Sequence, residues 1–170
     1  MRIFGLPEAV GPRPRLLILG SFPGRRSLEL GEYYAHPRNQ FWKLVAEICA
    51  FDRCLPYTSR LERLIGCGIG LWDSLHACER EGSLDASILA GSEVPNDLNE
   101  LFLHQATIRA AAFNGQKSWD TFKKFILPTL PSEIIDRLAL LPLPSTSPAN
   151  THHSYQEKLA AWSSIRSFLV

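Results

Sequence analysis

The sequence lacks the features that mark several protein classes. No two of its cysteines form a Cys-x-x-Cys pair, so neither a zinc ribbon nor an iron–sulfur cluster is expected. No apolar run is long enough for a signal peptide or a membrane span. We therefore expect a protein of a bacterial-type cytosol or nucleoid, without membrane contact. There the cysteines would be reduced and buried as small apolar side chains: Cys49, Cys54, Cys67 and Cys78.

A strong net charge is also missing. The formal charge is +1 over 170 residues, a length that suits one domain spanning residues 1–170. The distribution is less even, because residues 1–43 hold seven basic and three acidic side chains, whereas residues 73–105 hold one basic and seven acidic. Such a polarised molecule can present a basic face to phosphates, although chance clustering on solvated faces would give the same counts.

Hydrophobic periodicity predicts strands that alternate with helices. Apolar runs ending in glycine or polar residues predict strands at 15–20, 68–72, 107–113 and 137–141. Apolar residues at helical spacing predict helices at 39–49, 59–65, 97–105, 117–126 and 155–168. The polar stretch 78–95 has little period and predicts a loop with at most a short helix.

This alternation predicts parallel strands covered by helices on both faces. The fold class is thus α/β, a three-layer α/β/α sandwich with a central, mainly parallel four-stranded sheet. Ligands bind outside the carboxyl ends of the strands in such sheets. The loops at that edge are 21–39, 114–115 and 142–153, and a site is expected there.

Two of these loops contain unusual polar residues. The aromatic segment 33–42 holds Asn39, which can cap the following helix and also position polar atoms in a cleft. The loop 143–150 is stiffened by proline and rich in hydroxyls, which bind phosphates without length or charge. Taken alone, each segment also fits an ordinary turn or surface loop. His152 and His153 have no third ligand at suitable spacing, so no metal is expected.

The glycine loop Gly20-Ser-Phe-Pro-Gly24 follows the first strand and lets backbone N–H groups approach a ligand. It is not a P-loop, because no Gly-Lys-Ser/Thr follows. It is not Gly-x-Ser-x-Gly either, so Ser21 is a poor nucleophile candidate.

Together these segments resemble the uracil-DNA glycosylase superfamily over nearly the whole chain and in the same order. The segments that carry the resemblance are Gly20-Ser-Phe-Pro-Gly24, Ala35-His-Pro-Arg-Asn-Gln-Phe-Trp-Lys43, Gly68-Ile-Gly-Leu-Trp-Asp73, Ala112-Phe-Asn-Gly-Gln-Lys117 and Ser145-Thr-Ser-Pro-Ala-Asn150. The mismatch-specific uracil/thymine branch carries a water-activating Asn where this chain has Phe22. The pattern here is most similar to the hypoxanthine-DNA (deoxyinosine) glycosylase branch.

The resemblance implies a monofunctional DNA-deoxyinosine glycosylase of base excision repair, with Asn39 as the catalytic amide. It implies that Tyr34 stacks on an extruded base, Phe22 closes the pocket floor and Asn114 hydrogen-bonds the base edge. The residues expected to contact DNA are Ser21, Arg38, Ser145, Thr146, Ser147, Pro148, Ala149 and Asn150. The partner is damaged duplex DNA, with single-stranded DNA left open, and a monomer without metal or cofactor is expected.

Three alternatives stay open at this point. The chain could be a mismatch-specific uracil-DNA glycosylase, or a lesion-binding module of the same fold that does not cut. A nucleotide hydrolase with a phosphate-cradling glycine loop is the third, and the lack of acidic metal ligands in the site loops argues against it.

Overall fold

A computed structural model describes all residues, Met1–Val170. The strands are β1 (Arg2–Phe4), β2 (Leu16–Gly20), β3 (Ile69–Asp73), β4 (Leu75–Glu79), β5 (Val94–Pro95), β6 (Ala110–Asn114) and β7 (Ala139–Leu143). The α-helices are α1 (Arg25–Leu30), α2 (Phe41–Cys49), α3 (Tyr57–Gly66), α4 (Leu98–His104), α5 (Gln116–Phe125), α6 (Ser132–Arg137) and α7 (Tyr155–Trp162). Short 3-10 helices cover Asp85–Ser87, Leu127–Thr129 and Ser163–Phe168.

The centre of the molecule is a four-stranded parallel sheet with strand order β3-β2-β6-β7. β2 lies in the interior of this sheet, and all five of its residues are buried. A strand covered on both faces needs apolar side chains on both, which explains its unbroken apolar sequence. The predicted fold class is confirmed.

Successive side chains of β2 point to opposite faces, and each face packs against its own helices. Leu16 and Ile18 contact one buried cluster, whose members from α2, α3 and α7 are Phe41, Trp42, Leu44, Val45, Ile48, Leu64 and Trp162. Leu17 and Leu19 contact a second cluster, whose members from α4, α5 and α6 are Leu98, Phe102, Phe122 and Ile134. The two clusters define the three layers.

The predicted loop with at most a short helix is found over residues 80–93, which hold only the 3-10 helix Asp85–Ser87, but both ends of the predicted stretch, residues 78–79 and 94–95, belong to strands that were not predicted. β4 pairs antiparallel with both β1 and β5, and these strands form a second, three-stranded sheet. The pairing joins residues 2–4 to residues 77–79, and partners so far apart in sequence produce no local period. Helices α1 and α6 were not predicted either; each has only six residues, too few to show a helical repeat.

Other elements agree with the prediction within a few residues. The last helix is α-helical to Trp162 and continues as a 3-10 helix to Phe168, with Trp162 and Ile165 buried. The prediction that all cysteines are buried holds only for Cys78: Cys49 and Cys67 are partly exposed, and Cys54 is exposed in the turn before α3. None of the helices has the length and apolar character needed to cross a membrane.

Candidate active site

A cleft of about 1060 Å³ opens at the carboxyl ends of the central strands. It is lined by the glycine loop after β2, the segment before α2, the end of β6 and the loop after β7. All twelve predicted site residues line it: Ser21, Phe22, Tyr34, Arg38, Asn39, Asn114, Ser145, Thr146, Ser147, Pro148, Ala149 and Asn150. The fold thus brings together segments that lie more than a hundred residues apart, and the individual roles stay predictions.

Asn39 stands where the chain passes from the cleft into α2. Its side-chain Oδ1 accepts a hydrogen bond from the backbone N–H of Phe41 at 2.9 Å. The prediction that Asn39 is the N-cap residue is corrected: Gln40 occupies that position and makes no side-chain capping bond. Asn39, one residue earlier, takes over the capping role by binding the N–H of the first helical residue. The bond leaves a second lone pair on Oδ1, and no protein group hydrogen-bonds the Nδ2 donors, so the fixed amide can still hold a water.

Tyr34 adopts the left-handed backbone region, with φ of 55°, which is uncommon for a residue other than glycine. One face of its ring stacks on Phe41, with the ring centroids 3.9 Å apart. The hydroxyl is buried without a hydrogen-bond partner, and burial raises the pKa of Tyr34 well above its usual range. The ring is therefore held rigidly, with its neutral hydroxyl inside the cleft wall.

Phe22 is 6% exposed and packs against Leu75 and Cys78 of β4. The guanidinium carbon of Arg80 lies 5.0 Å from the centre of its ring, within the range of a cation–π contact. The second, antiparallel sheet thus supports this wall of the cleft, although the sequence showed no sign of that sheet.

Asn114 holds the loop after β7 through a reciprocal pair of hydrogen bonds. Its Nδ2 donates to Thr146 Oγ1, and its Oδ1 accepts from the Thr146 backbone N–H, each at 2.9 Å. Thr146 is fully buried, so the prediction that it contacts DNA is corrected: it anchors the loop from inside. Asn114 keeps one donor and one lone pair for the predicted contact with a base.

Ser21 is also buried and donates a 2.6 Å hydrogen bond to Asp85 Oδ2. Its hydroxyl is therefore engaged inside the protein, and because Ser21 still lines the cleft its contact with DNA stays a prediction. The remaining residues of the 145–150 segment are at least partly exposed and available at the mouth of the cleft.

The sequence analysis did not predict one acidic residue that lines the cleft and is buried. Asp73, at the end of β3, is 4% exposed and lines the cleft. Burial and the neighbouring charge of Asp85 raise the pKa of Asp73 to about 7, while Arg80 opposes the rise. Arg80 donates to the backbone oxygen of Pro23 at 2.7 Å. The sequence contained a signal for Asp73, because it is the last residue of β3 and ligands bind at the carboxyl ends of the strands in such sheets.

The mouth of the cleft is basic. Arg25, Arg26 and Arg38 line it and are exposed. Arg26 forms an exposed ion pair with Glu29 at 3.6 Å, a type of contact that contributes little to stability. Cationic side chains therefore surround an opening whose buried interior holds carboxyl groups, an arrangement that suits a polyanion outside and a neutral ligand inside.

A family model described as the uracil DNA glycosylase superfamily matches residues 7–166. The chain belongs to this superfamily. The resemblance predicted from the ordered motifs is confirmed, and the cleft described above lies within the matched residues.

Two curated relatives in the superfamily are named hypoxanthine DNA glycosylase. The protein of Methanosarcina barkeri is 38% identical over 69% of this chain and 74% of its own length. That of Methanosarcina acetivorans is 36% identical over 67% of this chain and 72% of its own length. A solution NMR structure of a candidate uracil DNA glycosylase from Methanosarcina acetivorans superimposes with a TM-score of 0.80 at 29% identity, covering 98% of this chain and 97% of that one.

Proposed function

We propose that this protein is a monofunctional DNA glycosylase that hydrolyses the bond between hypoxanthine and deoxyribose in damaged DNA. The observation that carries the proposal is the preorganised Asn39 amide in a cleft with an aromatic wall and a basic mouth. The relatives named hypoxanthine DNA glycosylase support the choice of base.

The reaction begins when the target nucleotide rotates out of the duplex into the cleft. Unstacking costs on the order of a few kcal/mol, and it costs least at a mispair. The free face of the Tyr34 ring, held from behind by Phe41, is the surface on which the extruded base would stack. Phe22 bounds the pocket, and the remaining hydrogen-bonding capacity of Asn114 is available to the base edge.

Asn39 positions the water, but an amide is not a general base. Bond breaking must therefore run ahead of water attack: a cationic, oxocarbenium-like sugar forms first and then captures the held water. The phosphates of the DNA and the fixed dipoles of the cleft stabilise this cation. No lysine lies in the three site loops, so a Schiff-base lyase reaction is not expected.

The DNA backbone is held outside the cleft. The exposed positions of the 145–150 segment offer hydroxyl and backbone donors, and Arg25, Arg26 and Arg38 provide charge. We propose that the protein acts as a monomer on duplex DNA, where an extruded nucleotide leaves flanking phosphates on both sides for these groups.

A second candidate function is mismatch-specific removal of uracil, which the same fold can support. The observation against it is Phe22, which stands where the resemblance places the water-activating Asn of that branch and which packs into the protein.

A panel of duplexes separates these functions. Each duplex carries hypoxanthine, xanthine or uracil opposite each normal base, and alkali after incubation cleaves the strand wherever an abasic site has formed. We expect faster strand cleavage with hypoxanthine than with uracil. Faster removal of uracil opposite every base would replace the first proposal by the second, and binding without abasic sites would leave a lesion-binding module.

A further inference from the structure

The carboxyl group of Asp73 is placed in the cleft without a hydrogen-bond partner. The side chain is 4% exposed, and its Oδ2 is buried with no partner. Its Oδ1 lies against Gly20, where an added Cβ would clash with it and would stand 3.5 Å from the Tyr34 hydroxyl. A buried polar atom left unpaired costs free energy, so a group in this state calls for an explanation.

The groups that face Asp73 favour its protonated form. Asp85 lies on the loop after β4 and bears a carboxylate that the Ser21 hydroxyl stabilises by a hydrogen bond. Arg80 is the facing cation, but it forms no ion pair with either carboxylate and donates instead to Pro23. Tyr33 and Tyr34 lie close enough to Asp73 to sense its charge, and burial keeps both hydroxyls neutral; the Tyr33 hydroxyl donates to the backbone oxygen of Pro7. With a pKa of about 7, the Asp73 carboxyl exchanges its proton near neutral pH.

The proposed reaction has a use for such a proton. When the bond between C1′ and N9 of a purine nucleotide breaks, the electron pair moves onto the base. The purine ring can accept a proton at N7 or N3, and protonation there turns an anionic leaving group into a neutral one. Neither Asn39 nor Asn114 can supply a proton. Other groups that line the cleft can carry one, but His36, His152 and His153 are exposed to solvent and Asp85 is held by the Ser21 hydroxyl. Asp73 is the buried acid of the lining that has no hydrogen-bond partner.

We propose that Asp73 is the general acid that protonates the departing purine. This step rests on the proposed function. The Asp73 carboxyl gives its proton to N7 or N3 as the C1′–N9 bond breaks, and neutral hypoxanthine leaves. The held water then bonds to C1′, and the proton that it loses returns through solvent to the Asp73 carboxylate. Atoms and charge balance, and no further reactant is needed.

The test measures single-turnover excision at saturating enzyme across about pH 5.5 to 8.5, the range in which the acid would titrate. We expect the parental rate on hypoxanthine to fall as the pH rises through neutrality. Asp73→Asn keeps the shape and a hydrogen-bond donor but has no proton to transfer, so it should lose about a hundredfold or more and its rate should not vary with pH.

Substrate analogues identify the proton acceptor. In 7-deazahypoxanthine and 3-deazahypoxanthine a carbon replaces N7 or N3, respectively. If Asp73 protonates N7, the parental enzyme should remove 7-deazahypoxanthine about as slowly as Asp73→Asn removes hypoxanthine; if it protonates N3, the same holds for 3-deazahypoxanthine. On that analogue the excision rate of Asp73→Asn should be no lower than its rate on hypoxanthine. Losses that add for both analogues would overturn the proposal.

A second variant keeps the proposal testable if Asp73→Asn folds poorly. Asp85→Asn removes the neighbouring carboxylate, so the fall in rate should move to lower pH while the maximal rate at acid pH is retained. An Asp85→Asn profile identical to the parental one would contradict the acid role of Asp73, as would an Asp73→Asn protein that cuts at the parental rate. If the parental protein itself leaves hypoxanthine in place, the proposed function fails instead.

Discussion

The hydrogen bond that Asn39 makes to α2 and its proposed catalytic role can be separated by experiment, because capping and catalysis tolerate different substitutions. As a cap, its Oδ1 accepts from the N–H of Phe41, and aspartate can do the same. In the proposed catalytic role, it would hold a water whose position depends on the same fixed side chain. A helix cap affects the free energy of unfolding, whereas a water-holding group affects the rate of excision.

We predict that Asn39→Ala lowers the free energy of unfolding by about 1 kcal/mol. It should lower the single-turnover excision rate about a hundredfold or more, the scale of one preorganised polar group. Asn39→Asp should fold normally and lose less rate, since a carboxylate can also activate water. DNA affinity should survive both changes. An Asn39→Ala protein that melts slightly lower but excises hypoxanthine at the parental rate would leave Asn39 a cap alone.

The raised pKa of Asp73 leads to a prediction about stability that does not depend on catalysis. Its pKa is about 7 in the folded protein against 3.8 for the unperturbed group. Between these values the folded state binds more protons than the unfolded state, so the contribution of Asp73 to stability falls as pH rises from about 4 to 7. Above pH 7 the ionised, buried carboxylate costs a few kcal/mol.

We therefore predict that Asp73→Asn is stabilising relative to the parental protein at pH 8 and gives little gain at pH 4. The measurement is urea unfolding of both proteins across this range. Asp136→Asn is the control, because Asp136 is exposed on α6 and does not line the cleft; it should leave the pH dependence unchanged. Equal stability differences at pH 4 and pH 8 would mean that Asp73 does not titrate in this window.

At the scale of elements, the loop after β7 is held by neighbours that come from three parts of the chain. Thr146 is bound by Asn114 of β6, and its backbone oxygen accepts from the N–H of Gln40. Lys158 of α7 is 2% exposed and donates to Gln40 Oε1 at 3.0 Å and to the Asn150 oxygen at 3.2 Å. The loop is thus preorganised before DNA arrives, which lowers the entropy cost of binding.

We predict that Lys158→Met, which keeps the apolar stem, lowers the free energy of unfolding by about 1–3 kcal/mol because two acceptors lose their donor. It should also weaken DNA binding, since the loop becomes mobile. Lys123→Met is the matched control: Lys123 pairs with Asp120 at 3.2 Å on the exposed side of α5, and such pairs contribute about 1 kcal/mol or less. Urea unfolding and titration with labelled duplex measure both effects, and equal behaviour of the two variants would contradict the anchoring role.

At the scale of the whole molecule, a net charge near zero hides a polarised surface. Three basic side chains of the N-terminal quarter, Arg25, Arg26 and Arg38, stand at the mouth of the cleft. The acidic stretch supplies the buried Asp73, the half-buried Asp85 and the strands behind Phe22. The exposed arginines can attract phosphates at long range. The carboxyl groups inside the cleft can interact only with a group that enters the cleft.

We predict that DNA affinity falls with added salt by about one unit of log K per unit of log salt for each phosphate neutralised. Reversing Arg25 and Arg26 to Glu should weaken binding to damaged and undamaged duplex alike and reduce the slope by about two. Reversing Arg53 and Arg63, which are exposed but do not line the cleft, is the control. Binding that is insensitive to salt, or a control that loses as much affinity, would contradict this assignment.

The sequence predicted the parallel sheet but not the antiparallel one. The parallel sheet was predictable because each strand carries its own signal, an apolar run long enough to be buried on both faces, as in Leu16–Gly20. The antiparallel sheet was not, because β1 pairs with β4 across more than seventy residues and neither strand has a strong local pattern. In the same way, the ordered motifs predicted which residues line the cleft. They did not predict which of these residues have a hydrogen-bonding group that no other protein group engages.

The sequence by itself determined the alternation of strands and helices, the edge of the sheet where ligands bind and the membership of the superfamily. These depend on local patterning and on motif order, which are properties of the chain. Only the tertiary structure decided that Ser21 and Thr146 are engaged inside the protein and that Asp73 stands unpaired beside Asp85. Hydrogen-bond partners and the burial of charge are set by residues distant in sequence, so a pattern along the chain does not contain them.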